Sequence, residues 1–107
     1  IDWSHKKTRK TMRKPEALAS LKALHERLSK LTDWQPAVLD AMVDNYVEET
    51  GLSPALVGQP LRIAVTGGPV SPGIGDTIFL IGPDRTMKRL SNAIAEVEAK
   101  QAETTES

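Results

Sequence analysis

Leucines recur at Leu18, Leu21, Leu24, Leu28 and Leu31, in steps of three and four that gather all five on one face of a helix. Pro15, just ahead of them, suits a first helical position, where a missing N–H is no loss. The next apolar set, Val38, Leu39, Met42, Val43, Tyr46 and Val47, keeps the same period, and Gly51 follows where a helix stop belongs. Thr32 and Gln35 stand three apart, as in a capping box. The pattern therefore predicts a second helix from about Trp34 to about Glu49, and an antiparallel hairpin with the leucine face as its seam.

Downstream the pattern is less decisive. Ser53-Pro54 is another cap-and-proline signal, and one helical turn is expected before Gly58. Leu61 to Val65 and Thr77 to Ile81 are rich in β-branched residues, and local propensity leaves helix and strand equally open for both. The second of these runs lies between a Ser71-Pro72 cap signal and Gly82. Pro83 and Asp84 open a last helix with Met87, Leu90, Ala93, Ile94 and Val97 on its apolar face, and the polar tail after Lys100 is expected to be disordered. Residues 67–75 hold four glycines and two prolines in nine positions, a loop whose backbone shape is specified almost residue by residue.

Composition narrows the possibilities. A chain of 107 residues, 39% hydrophobic, buries one modest core. The absence of cysteine excludes disulfides, cysteine-ligated zinc and thiol nucleophiles, and it suits the cytosol. The longest aliphatic or aromatic run is Ile78 to Ile81, far short of the roughly 20 residues that span a bilayer. The opening Ile-Asp-Trp-Ser-His has no Met and no apolar run behind its basic residues, which argues against a secretory signal and predicts a piece of a longer protein.

Charge alters the picture more than composition does. Fourteen Lys and Arg balance fourteen Asp and Glu, but the balance is uneven along the chain. Residues 1–14 carry six positive side chains and one negative, and residues 15–58 three and seven. Residues 59–90 carry four and two, and residues 91–107 one and four. Two basic segments thus alternate with two acidic ones, an asymmetry that bears on partners.

Most candidate chemistry reduces to ordinary structure. The glycine-rich loop lacks the Gly-Lys-Ser/Thr ending of a phosphate-binding loop, and Pro72 removes one of its N–H donors. Ser71 has no nucleophile elbow around it and reads as a helix cap. His5 and His25 have no companion at metal-ligand spacing. Asp40, Asp44, Glu48 and Glu49 recur as a solvated helix face does. Arg85, Lys88 and Arg89 sit at the start of a helix, where the macrodipole disfavours cations, while Lys6, Lys7, Arg9 and Lys10 form a basic lead-in that attracts polyanions.

One ordered set of motifs goes further. Gln59-Pro60-Leu61-Arg62-Ile63-Ala64-Val65-Thr66-Gly67, then Val70-Ser71-Pro72-Gly73-Ile74, then Leu80-Ile81-Gly82 and Arg89-Leu90, closely resembles the C-terminal end of bacterial glutamyl-tRNA synthetases. The resemblance extends more weakly upstream, through the leucine helices to Glu48-Glu49-Thr50-Gly51-Leu52, and departs from the family pattern at Gly75-Asp76 and Pro83-Asp84.

The resemblance implies an all-α anticodon-binding domain, a small helical bundle in which Leu61 to Thr66 and Ile74 to Ile81 are helical. It implies a lead-in continuing an upstream helical region at 1–14, the domain at 15–100 and a disordered tail at 101–107. Arg62, Ser71 and Ile74 are the implied anticodon contacts, with Gly67, Pro72 and Gly73 shaping the loop. Lys6, Lys7, Arg9, Lys10, Arg85, Lys88 and Arg89 are candidates for the tRNA backbone.

The expected partners are the anticodon loop of tRNA(Glu) and the upstream domains of the same cytoplasmic enzyme, in a monomer with no membrane contact. The parent enzyme uses ATP and Mg²⁺ to attach glutamate to tRNA. Its ATP signatures have no counterpart here, so this chain is expected to hold no cofactor, metal or catalytic residue. The alternative from another class is a protein–protein docking module using the leucine face, and a helix-turn-helix DNA binder is weaker for want of a basic recognition helix.

Overall fold

Four helices begin on a proline and three stop at a glycine, so the punctuation in the sequence largely sets the elements. The computed structural model describes residues 3–67 and 73–106, with α1 at Lys6–Met12, α2 at Pro15–Ser29, α3 at Pro36–Thr50, α4 at Pro54–Thr66, α5 at Ile74–Ile81 and α6 at Pro83–Glu106. Pro15, Pro36 and Pro54 each occupy a first-turn position, and Gly51, Gly67 and Gly82 end α3, α4 and α5. The described residues form an all-α bundle, as the resemblance implies.

The capping box at Thr32 does not form. Gln35 is the N-cap of α3, with an extended backbone and no side-chain capping bond. Pro36 is the reason: a residue before proline is pushed out of the helical region, so the helix begins two residues after Trp34. The one turn expected at Pro54 is instead the first turn of a 13-residue helix running through Pro60 to Thr66. An interior proline costs about 3 kcal/mol or more. Val57, Leu61, Ile63 and Val65 are essentially fully buried, at about 1.5–3 kcal/mol per large apolar side chain, and that outweighs both the proline and the β preference.

The expected hairpin seam is also corrected. α2 packs mainly along α4 and α6 and touches α3 lightly, while α3 packs chiefly on α5. Leu21, Leu24 and Leu28 are buried and Leu18 and Leu31 half-buried, so the leucine face is the interior of the bundle. That leaves the docking reading without its surface.

Both ends of the chain are more structured than their polarity implies. The basic lead-in contains a helix, α1, which buries Thr8 and Met12. α6 continues past Lys100 to Glu106, where the polar composition predicts disorder. The Gln101 side chain donates to the Met12 and Lys14 carbonyls at 3.2 and 3.0 Å, holding this turn against the end of α1. Trp3 is drawn into the same corner by its bond to Glu96 and by Lys100, which lies 5.6 Å from its ring.

Candidate nucleic-acid interface

Arg62 lies in the penultimate turn of α4, just before Gly67 opens the glycine-rich loop. Its Nη1 lies over Gly58, 3.9 Å from where a Cβ would stand, so the guanidinium leans back along its own helix. Nε is buried without a hydrogen-bond partner. A buried donor without a partner costs about 1–3 kcal/mol, a cost that buried polar atoms of Thr8, Ser20, Gln59 and Thr86 share. The arrangement leaves a rigid, planar cation half-exposed on the helix surface.

Side chains from other helices hold both flanks of the loop. On the α4 side, Arg89 of α6 donates from Nη1 to the Val65 carbonyl at 2.6 Å, satisfying an acceptor that the helix end leaves open. Gly67 N–H donates to the Ile63 carbonyl at 2.8 Å. On the α5 side the N-cap is Gly73, which has no side chain to cap with. Asp40 of α3 takes that role, accepting from Gly75 N–H at 2.9 Å. The approach is so close that a Cβ on Gly75 would lie 2.5 Å from both Asp40 Oδ1 and the Pro36 carbonyl. Trp34 donates from Nε1 to the Ile78 carbonyl at 3.3 Å, fastening the α2–α3 connection to the same helix.

The residues singled out in the sequence separate on this frame. Arg62 is half-exposed, whereas Ile74 is 8% exposed and packs in the core. Ser71 and Pro72 lie outside the described residues, while Gly67 and Gly73 mark the ends of the described flanks. Lys6, Lys7 and Lys10 are exposed along α1. Arg9 turns back to the Trp3 and Ser4 carbonyls at 2.9 and 2.8 Å. Arg85 and Lys88 are exposed on α6, and Arg89 is engaged with α4.

Asp40 is hidden in the sequence because its spacing matches a solvated acidic face, and no local pattern marks a carboxylate that caps a helix 35 residues away. The two histidines have structural partners. His5 accepts from Lys7 N–H at Nδ1, and His25 Nε2 lies 3.0 Å from Ser91 Oγ. Among the described residues, no group of three or more His, Asp or Glu side chains is placed to hold a metal ion, and no helix is long and apolar enough to cross a membrane.

A helical bundle in which Arg89 and Asp40 hold the helix ends on either side of residues 68–72, with Arg62 half-exposed near the end of α4, defines a class that comparison identifies. The anticodon binding domain family matches residues 2–94, and the chain belongs to that family. Among curated proteins it is similar to glutamate–tRNA ligase 1 of Alkalilimnicola ehrlichii, with 39% identity over 101 residues, 94% of this chain and 21% of that protein. It is also similar to the glutamate–tRNA ligase of Legionella pneumophila, with 33% identity over 100 residues, again 94% and 21%. In three dimensions it matches a glutamate tRNA ligase from Elizabethkingia meningosepticum, crystallised in complex with its amino acid. The TM-score is 0.79 at 27% identity, covering 87% of this chain and 18% of the other. The chain thus spans about a fifth of the length of the curated relatives it matches.

Proposed function

We propose that this chain reads the anticodon loop of tRNA(Glu) as the anticodon-binding part of a cytoplasmic glutamate–tRNA ligase, with ATP, Mg²⁺ and the aminoacylation chemistry supplied by the rest of that enzyme. The observation that carries the reading is the placement of Arg62: half-exposed on α4, beside a glycine-rich segment whose flanks are fixed by Arg89 and Asp40. Single-stranded loop bases expose edges and faces that an arginine can bond to or stack on. Ser71 contributes a hydroxyl from the loop, and Ile74, mostly buried, sets the point at which the loop re-enters the core.

The test is an amide-spectrum titration of the 107-residue chain with two tRNA transcripts, one bearing the glutamate anticodon and one a scrambled anticodon. The expected result is a larger perturbation of residues 59–75 by the first. Equal perturbation by both, or none, overturns the reading. Arg62→Ala is expected to weaken binding of the glutamate transcript about 5- to 150-fold, corresponding to roughly 1–3 kcal/mol for a good base-edge contact, with the helical spectrum unchanged.

A further inference from the structure

A second basic feature lies apart from the glycine-rich loop. α1 and the first half of α4 enclose a cleft of about 680 Å³ lined by Lys6, Lys7, Lys10 and Lys14, with Ser53 and Gln59 on the opposite wall and no acidic residue in its lining. None of the four ammonium groups has an ion-pair or hydrogen-bond partner among the described residues. Helix stability does not account for them. Lys6 and Lys10 are like charges four residues apart within α1, which repel, and Lys14 adds a further cation at the extended N-cap of α2. Lys6 and Lys7 also open α1 at its positive end, with no acidic residue in its first turn.

The opposite wall adds to the positive potential. α4 starts on the cleft, its N-terminus carrying partial positive charge and no acidic residue in its first turn. Ala55, Gln59, Arg62 and Thr66 follow at steps of four, three and four, which places them on one face of α4. Ala55 and Gln59 line the cleft, and Arg62 lies one turn further on. At 1.5 Å per residue, Ala55 to Arg62 spans about 10 Å, a distance a few nucleotides of strand can cover.

We propose that this cleft is a phosphate site for the RNA backbone, holding the strand beside the nucleotides read at Arg62. The inference rests on the reading that the chain binds tRNA, and it deepens that reading. The lysines position the strand and carry no base information, because phosphates are the same at every nucleotide. The structure leaves these four cations available while Arg9 and Arg89 are turned to carbonyls within the fold.

The experiment compares the 107-residue chain with a K6Q/K7Q/K10Q/K14Q variant, which keeps most of each stem, and a K6R/K7R/K10R/K14R variant, which keeps the charge. Binding of both tRNA transcripts is measured across a KCl series, with helicity checked by circular dichroism. The glutamine variant is expected to lose affinity for both transcripts by the same factor. Its log–log salt slope should be shallower by about 0.7 for each phosphate it no longer neutralises, with the arginine variant close to the parent.

Unchanged affinity and slope in the glutamine variant, while the parent still distinguishes the two anticodons, overturns the cleft and leaves the anticodon reading standing. Loss confined to the glutamate transcript also overturns it, since the lysines would then be reading bases. Saturation of the lysine amides by submillimolar inorganic phosphate, with no change on adding tRNA, makes the cleft a small-anion site instead. A parent chain that binds neither transcript overturns both readings.

Discussion

In the proposed reading, Arg62 sets binding against stability, and a single substitution separates the two. Removing its buried, unpartnered Nε while keeping an unbranched stem relieves the desolvation cost, so Arg62→Met is expected to raise the thermal midpoint slightly while abolishing the preference for the glutamate anticodon. A lowered midpoint on thermal denaturation would show that the guanidinium supports the fold. Gly75 presents the opposite case. An added methyl has to displace the Pro36 carbonyl and Asp40, and over-packing of this kind typically costs about 1–3 kcal/mol. Gly75→Ala should therefore lower the urea midpoint clearly, while Asp40→Ala should cost about 0.5–2 kcal/mol, as removal of a helix cap does. Asp40→Asn, which retains an acceptor oxygen, should cost less. Arg62 is legible in the sequence through its motif, whereas the pairing of Asp40 with Gly75 is not, because it joins two helices with no sequence proximity.

At the scale of elements, proline and glycine set most of the boundaries. Gly82 illustrates why: at φ 91° and ψ 160° it occupies a region essentially reserved for glycine, and this is the joint that lets α6 turn back over α4 and α5. What local chemistry leaves undecided is the state of the segments containing Leu61 to Val65 and Thr77 to Ile81, whose β-branched residues become helical only because the bundle buries them. Arg89 is the element-scale tie, since it links α6 to the last turn of α4. Arg89→Ala is expected to speed amide hydrogen exchange of residues 65–67 with little change in the global midpoint, because a partly exposed bond of this kind holds one helix end rather than the core. If exchange there is unaltered, the bond to Val65 does not restrain the loop.

For the whole molecule, the two ends of the chain meet. Gln101 bonds to the end of α1, Trp3 bonds to Glu96, and the lysine helix is thereby seated against α4. Truncation after Lys100 is expected to reduce the hydrogen-exchange protection of α1 and to lower tRNA affinity for both anticodons alike, whereas a dispensable tail would leave both unchanged. The uneven charge along the chain is concentrated further by the fold, which collects four lysines in one cleft with no acidic residue in its lining.

The sequence by itself determined the helical period, most helix boundaries and, through an ordered set of motifs, the family, and it singled out Arg62 as the contact proposed above, because these depend on residues close together along the chain. Tertiary structure alone decided that the leucine face is interior and that Asp40 and Arg89 hold the helix ends flanking the glycine-rich segment, and it supplies the burial that makes the β-branched runs helical, a state the motifs had implied but local propensity had left open. Those outcomes depend on burial and on contacts between distant segments, whose free energies exceed the local preferences that a sequence pattern records.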